Sequence, residues 1–132
     1  MTSRDEFSKE AKDTLAKRTG TLCSNPRCSI PTYGPSQTPN KYLNRGVAAH
    51  IRAAAEGGPR YDPNMSQEER RAISNGIWLC ENCAKLIDSD IKRYSVNVIK
   101  RWKLVAEERA AKAQENPRIV NYGPDFADTI LL

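Results

Sequence analysis

Residues 76–88 run GIWLCENCAKLID. The first four positions are a short apolar run and predict a strand over 76–79. From 83 to 88 the pattern fits the first turns of a helix. Cys80 and Cys83 fall at the junction, with two residues between them. A second short-spaced pair lies far upstream: Cys23 and Cys28 enclose Ser-Asn-Pro-Arg, a turn-forming stretch. Two such pairs separated by a long insert are the usual layout of a tetrahedral four-cysteine zinc site, because one turn of backbone presents two thiolates to one ion. Four unrelated buried thiols, or disulfides in an exported protein, are the competing readings. Four protein ligands leave no open position, so such a Zn2+ would be structural and any chemistry would lie elsewhere.

The chain has 132 residues, enough for one domain, with 39% hydrophobic and 7% aromatic residues. A core that thin is commonly reinforced by a metal or a disulfide. The 21 basic residues outnumber 16 acids, for a net charge of +5. That is a modest bias toward a polyanionic partner. No apolar run approaches the roughly 18 residues of a membrane span. The N-terminal MTSRDEFSKEAKD has no apolar signal-peptide core. A cytoplasmic location is therefore expected, where thiols stay reduced.

Outward from the cysteines, the expected fold class is α+β. Phe7, Ala11, Leu15 and Ala16 share one face of a helix over 5–18, which Gly20 can stop. Residues 21–41 hold four prolines and one glycine and predict irregular chain. A first strand is expected over 42–51 and a Gly/Pro loop over 56–64. Ser66 with Glu69 makes a capping box for a helix over 67–73. Ser95 is the expected N-cap of a longer helix to about Gln114, turning Val98, Ile99, Trp102, Val105 and Ala106 inward; Asn116-Pro117 stops it. The division is an N-terminal helix (1–20), a zinc-stapled domain with its C-terminal helix (21–115) and a tail (116–132).

His50 is the only histidine. It closes the first expected strand, lies between the two cysteine pairs, and precedes a Gly-Gly loop. Asn75 stands at the start of the second strand. The segments AAHIRAAAEGGPRY, NGIWLCENCAKLID and RYSVNVIKRWK together resemble the HNH endonucleases, the ββα-metal nuclease family, over about residues 15–110. The resemblance implies a small ββα finger stapled by a four-cysteine zinc and flanked by helices. It implies a metal-dependent endonuclease hydrolysing phosphodiester bonds, in DNA foremost. His50 would be the general base and Asn75 the residue that braces the His loop. A single Mg2+ or Mn2+ would hold the scissile phosphate. By the same resemblance, the setting is bacterial or phage defence or restriction.

The sequence departs from the family pattern where the catalytic metal is usually held. Ala49 precedes the histidine and Ala84 follows the second cysteine of the pair, and neither binds a metal. Asp88, one helical turn after Ala84, is the nearest acid that can take over; Asp90 and Glu56 are weaker substitutes. Two expectations of different classes follow. One is a nuclease with a rearranged metal site. The other is a degenerate zinc-stapled module that binds nucleic acid or a protein without cutting.

Residues 91–112 carry seven basic side chains against Glu107 and Glu108, a net +5. Lys100, Arg101 and Lys103 are expected on the helix face away from Trp102, as phosphate contacts without sequence readout. Arg52 and Arg60 flank the loop after His50 and are expected on the scissile strand. The apolar end of the tail, Ile130 to Leu132, fits a docking segment or a homodimer contact. No membrane partner is expected.

Overall fold

A computed structural model describes residues 5–115. The expected tail contact and the Asn116-Pro117 helix stop lie outside the described residues. The elements are α1 (Lys9–Arg18), β1 (Tyr33–Pro35), β2 (Tyr42–Asn44), β3 (Gly46–His50), α2 (Gln67–Arg71), a 3-10 turn (Ile73–Asn75), β4 (Gly76–Cys80), α3 (Glu81–Ser89) and α4 (Val96–Glu115). The fold is α+β. Two small antiparallel sheets, β1–β2 and β3–β4, are flanked by four helices. Among the described residues, no helix is long and apolar enough to cross a membrane.

β4 is the centre of the molecule. All five of its residues are buried, which explains why GIWLC is an unbroken apolar run rather than an alternating one. Alternate side chains still leave on opposite faces. Ile77 and Leu79 join Cys23, Cys80, Cys83, Ile51, Ile87 and Ile99 in one core cluster. Trp78 joins Phe7, Leu15 and Ala16 of the α1 side in another. The strand is thus sandwiched between α1 and the α3–α4 pair. Antiparallel pairing sets Gly46 opposite Cys80 and His50 opposite Gly76, so the ladder carries the cysteine end and the histidine end on one rigid unit.

The register makes a strict demand at Gly46. A Cβ there would meet the Trp78 ring at 2.3 Å and the Thr32 Cβ at 2.9 Å. The indole is held in place by stacking on Tyr33 at 6.0 Å between centroids and by Nε1 donating to Thr32 Oγ1 at 2.9 Å. Gly46→Ala is therefore expected to destabilise the domain by about 1–3 kcal/mol, the usual cost of overpacking a filled core. A urea melt checks this; an unchanged midpoint would mean the indole can shift freely.

Several boundaries differ from expectation, each for a local reason. α1 starts at Lys9 because the Ser8 side chain accepts from Ala11 N–H at 3.0 Å. Asp5, expected inside the helix, instead donates its N–H to Ala54 O at 3.1 Å. The first expected strand breaks at Arg45, whose N–H donates to Thr32 O at 2.7 Å and whose carbonyl accepts from Glu81 N–H at 3.0 Å. Its N-terminal part, β2, pairs with β1, a strand inside the stretch expected to be irregular. The Ser66–Glu69 capping box forms as expected. On α4, Ile99 and Ala106 are buried, but Val98 and Val105 are exposed, because the helix packs along the edge bearing Lys103 rather than squarely on Trp102.

Candidate functional site

The four cysteine sulfurs come together from distant parts of the chain: all lie within 4.8 Å of one another, and none is in a disulfide. Cys80 ends β4 and caps α3, its sulfur accepting from Cys83 N–H at 3.4 Å. The other pair sits on a knuckle organised by Asn25. The Asn25 carbonyl accepts from Cys28 N–H at 2.9 Å and Ser29 N–H at 3.0 Å, and its Oδ1 accepts from Arg27 N–H at 3.0 Å. Its Nδ2 donates to Cys83 Sγ at 3.4 Å, crossing from one pair to the other. The Cys28 and Cys80 sulfurs are 3.9 Å apart. Tetrahedral Zn–S bonds of about 2.3 Å require sulfur separations of roughly 3.8 Å, so the donor set fits zinc in both chemistry and size.

Burial works against thiolates at two of the four sulfurs until a metal binds. Burial pushes the Cys23 and Cys83 thiols up. Burial would raise Cys80 too, but the Cys83 amide and the neighbouring sulfurs outweigh it and hold Cys80 below its ordinary value. Metal binding must therefore expel protons from buried thiols. Asn25 was not expected as a supporting residue; its place in the turn Ser-Asn-Pro, between two ligands, is the signal that could have found it.

At the opposite end of β3, His50 Nε2 lies 2.9 Å from Asp5 O. A carbonyl only accepts, so Nε2 carries the proton and, in the neutral ring, Nδ1 is the basic nitrogen. Phe7 stacks on the imidazole at 4.0 Å between centroids and 11° between planes. Both partners come from the segment before α1, a contact that no spacing rule in the sequence announces. The Asp5 carboxylate in turn meets Arg70, 3.4 Å away, and both side chains are nearly buried.

Asn75 is buried and spends its whole amide on neighbouring backbone. Its Oδ1 accepts from Arg52 N–H at 3.0 Å; its Nδ2 donates to Arg52 O at 3.0 Å and Arg70 O at 3.1 Å. Its main-chain carbonyl accepts from Ile51 N–H at 2.8 Å. It thus clamps the residues directly after His50 to the start of β4.

The remaining sequence candidates separate into two groups. Lys100 and Arg101 are exposed on α4. Lys103 turns inward: Nζ donates to Ile73 O and Gly76 O, each at 2.6 Å, and burial lowers its pKa. Arg60 is also committed to the interior, where it bonds the carbonyls of Ile51 and Ile87 and pairs with Asp88 at 2.8 Å. Arg52 lies 3.9 Å from Asp62. Asp88 is thus held by a buried guanidinium. Asp90 caps the turn before α4, accepting from Arg93 N–H at 3.3 Å, and Glu56 is exposed in the loop after His50. Ala49 and Ala84 pack against the hydrophobic core that includes Cys23, Cys80 and Cys83. Among the described residues, the four cysteines are the one group of His, Cys, Asp or Glu arranged to hold a metal ion.

The molecule is thus a small mixed α/β domain built around a four-cysteine cluster able to chelate a structural metal ion. No family model matches the chain, and no curated protein matches it.

Proposed function

We propose that the chain is a zinc-stapled, HNH-like module that binds nucleic acid through the exposed cations of α4 without hydrolysing it. The observation that carries this reading is the metal chemistry. The donor set that converges is a closed four-thiolate site. Where the family pattern would hold a catalytic cation, Ala49 and Ala84 offer no donor atom, and Asp88, the substitute acid, already answers the charge of Arg60. A four-thiolate shell fixes a fold but has no position for water or phosphate.

Binding rests on Lys100 and Arg101, on a helix whose neighbouring lysine is withdrawn into the core. Contacts of that kind neutralise phosphates without reading bases, so affinity falls steeply with salt. The double substitution Lys100→Glu, Arg101→Glu is expected to weaken binding to every duplex sequence about equally. It should also reduce the slope of log affinity against log salt by about two or more. Anisotropy titrations at several salt concentrations measure this; an unchanged slope would mean these side chains are simply a solvated face.

A second reading is favoured by one specific observation. Asn75 clamps the chain after His50, and Asp5 O sets the imidazole so that Nδ1 is its basic nitrogen. That is the arrangement a general base needs, and in this reading Asp88 would leave Arg60 for Mg2+ or Mn2+. Incubation of the protein with plasmid DNA and with RNA, under Mg2+ or Mn2+, decides between the two. Cleavage that disappears in His50→Ala, with zinc content unchanged, selects the nuclease. No cleavage under either metal selects the binding module.

A further inference from the structure

The β1–β2 ribbon stands apart from the β3–β4 sheet and carries aromatic surface the fold does not use. Tyr42 is 70% exposed, and Leu43 beside it is exposed as well. The Tyr42 ring lies 5.8 Å from that of Tyr33, tilted by 46°, and Tyr33 stacks on the buried Trp78. Three rings thus lead from the core to the solvent, with the outermost presenting most of its surface. A two-stranded ribbon this short has little stability of its own. Here it is anchored at its base, where Thr32 O accepts from Arg45 N–H and Thr32 Oγ1 receives the Trp78 indole N–H. Tyr42 is therefore exposed on a fixed support.

The surroundings select the occupant. Tyr33, Gly34, Pro35, Lys41 and Tyr42 line a shallow groove that is wide open to solvent. Lys41 brings a cation to its wall, and Arg45 lies just beyond β2, its charge shared with Glu81 at 3.5 Å. Asp13 of α1 is close enough to raise the Tyr33 pKa, after the larger effect of burial. It is flanked one helical turn to either side by the exposed Lys9 and Lys17, so the acid does not make this side negative. An aromatic face beside lysines suits a ligand that is flat, apolar on its face and anionic at its edge.

We infer that this hairpin is a stacking platform for an unpaired nucleobase, with Tyr42 under the base and Lys41 on the adjoining phosphate. The inference rests on the nucleic-acid reading above and deepens it: α4 supplies affinity for the backbone, and the hairpin discriminates single strands from duplex. In a duplex the base faces are already stacked on one another, so Tyr42 has nothing to cover. Base–aromatic stacking tolerates any base identity, because every base has a π face.

The test uses the full chain, a labelled oligothymidylate, the same strand with abasic sites, and a duplex. Tyr42→Ala is expected to weaken binding to oligothymidylate about 5-fold or more and to leave duplex binding within about 2-fold. Abasic sites should remove the same factor from the wild type and little from the variant. Tyr42→Phe should retain the affinity, because the ring face and not the hydroxyl is used. An unchanged melting temperature of Tyr42→Ala shows that the fold is intact. If Tyr42→Ala binds oligothymidylate as the wild type does, while the Lys100→Glu, Arg101→Glu variant has lost binding, the hairpin proposal falls and the electrostatic reading stands. Absence of binding to either nucleic acid overturns both.

Discussion

Cys80→Ser is expected to abolish both zinc retention and cooperative unfolding, and a strong chelator should do the same to the wild type. Structural zinc in small peptides is worth about 10–16 kcal/mol at neutral pH. The net stability of a whole domain is only about 5–15 kcal/mol. In a chain this size the metal term is thus as large as the entire margin. The geometry explains why the loss is global. Cys23 and Cys28 come from the knuckle, Cys80 from the end of β4 and Cys83 from α3, and their sulfurs sit beside Ile51, Ile77, Leu79, Ile87 and Ile99 in the core. Without the ion, four thiols replace a tetrahedral centre, and only single hydrogen bonds, Ser24 N–H to Trp78 O and Asn25 Nδ2 to Cys83 Sγ, still tie the knuckle to β4 and α3. The pH dependence has a definite sign. Only deprotonated sulfurs bind, and burial holds the Cys23 and Cys83 thiols above their ordinary values. Protons therefore compete increasingly as pH falls, and zinc should be released on acidification rather than on alkalinisation. Elemental analysis and thermal melts with and without chelator check all of this. A metal-free protein with free thiols that still melts cooperatively at the same temperature would overturn it.

The cysteine pairs were legible because short spacing is a local property: two thiolates on one turn of chain announce their role before any tertiary structure exists. β4 was legible for a similar reason, since a short unbroken apolar run has few places to go but the centre. The Ser66–Glu69 box is likewise a contact between near neighbours in sequence. What could not be read depends on long-range partners. β1 lies in a stretch whose prolines argue against strands, and it forms where Tyr33 finds the distant Trp78 ring and pairs with β2. Val98 and Val105 satisfy the helical period for burial yet face solvent, since period fixes a stripe but not which neighbour it meets. Lys103 and Arg60 show the same limit in charged side chains. A long cation reads as surface by composition, and only the position of the Ile73, Gly76, Ile51 and Ile87 carbonyls turns it inward. The contacts on His50 come from Asp5 and Phe7, residues the sequence assigned to a helix.

Arg60→Ala is expected to destabilise the domain by about 2–4 kcal/mol, because it strands the buried Ile51 and Ile87 carbonyls, and an unsatisfied buried group costs about 1–3 kcal/mol. The Arg60 side chain is 5% exposed. Its Nε donates to Ile51 O at 2.7 Å, Nη1 to Ile87 O at 2.8 Å, and Nη2 to Asp88 Oδ1 at 2.8 Å; Nη1 also lies 3.4 Å from Tyr94 O. One planar fork thus joins the chain just after His50, the last turns of α3 and the approach to α4. Its backbone adopts φ +59°, a left-handed conformation that a non-glycine residue holds only when other contacts outweigh the cost. Lysine presents a single ammonium and cannot reach these directions together, so Arg60→Lys should recover little. Asp88→Ala should cost far less, about 1 kcal/mol or under, because the carboxylate is half exposed and Arg60 keeps its carbonyl partners. The contrast between the two variants is informative about the site. If Arg60 is a fold residue, a urea midpoint will drop sharply while the folded fraction retains its affinity and salt slope for nucleic acid. If instead the variant keeps its stability and loses salt-dependent binding, the guanidinium must leave the interior to meet phosphate, and Asp88 would be released with it. The same experiment therefore tests whether Asp88 is available to a divalent cation at all.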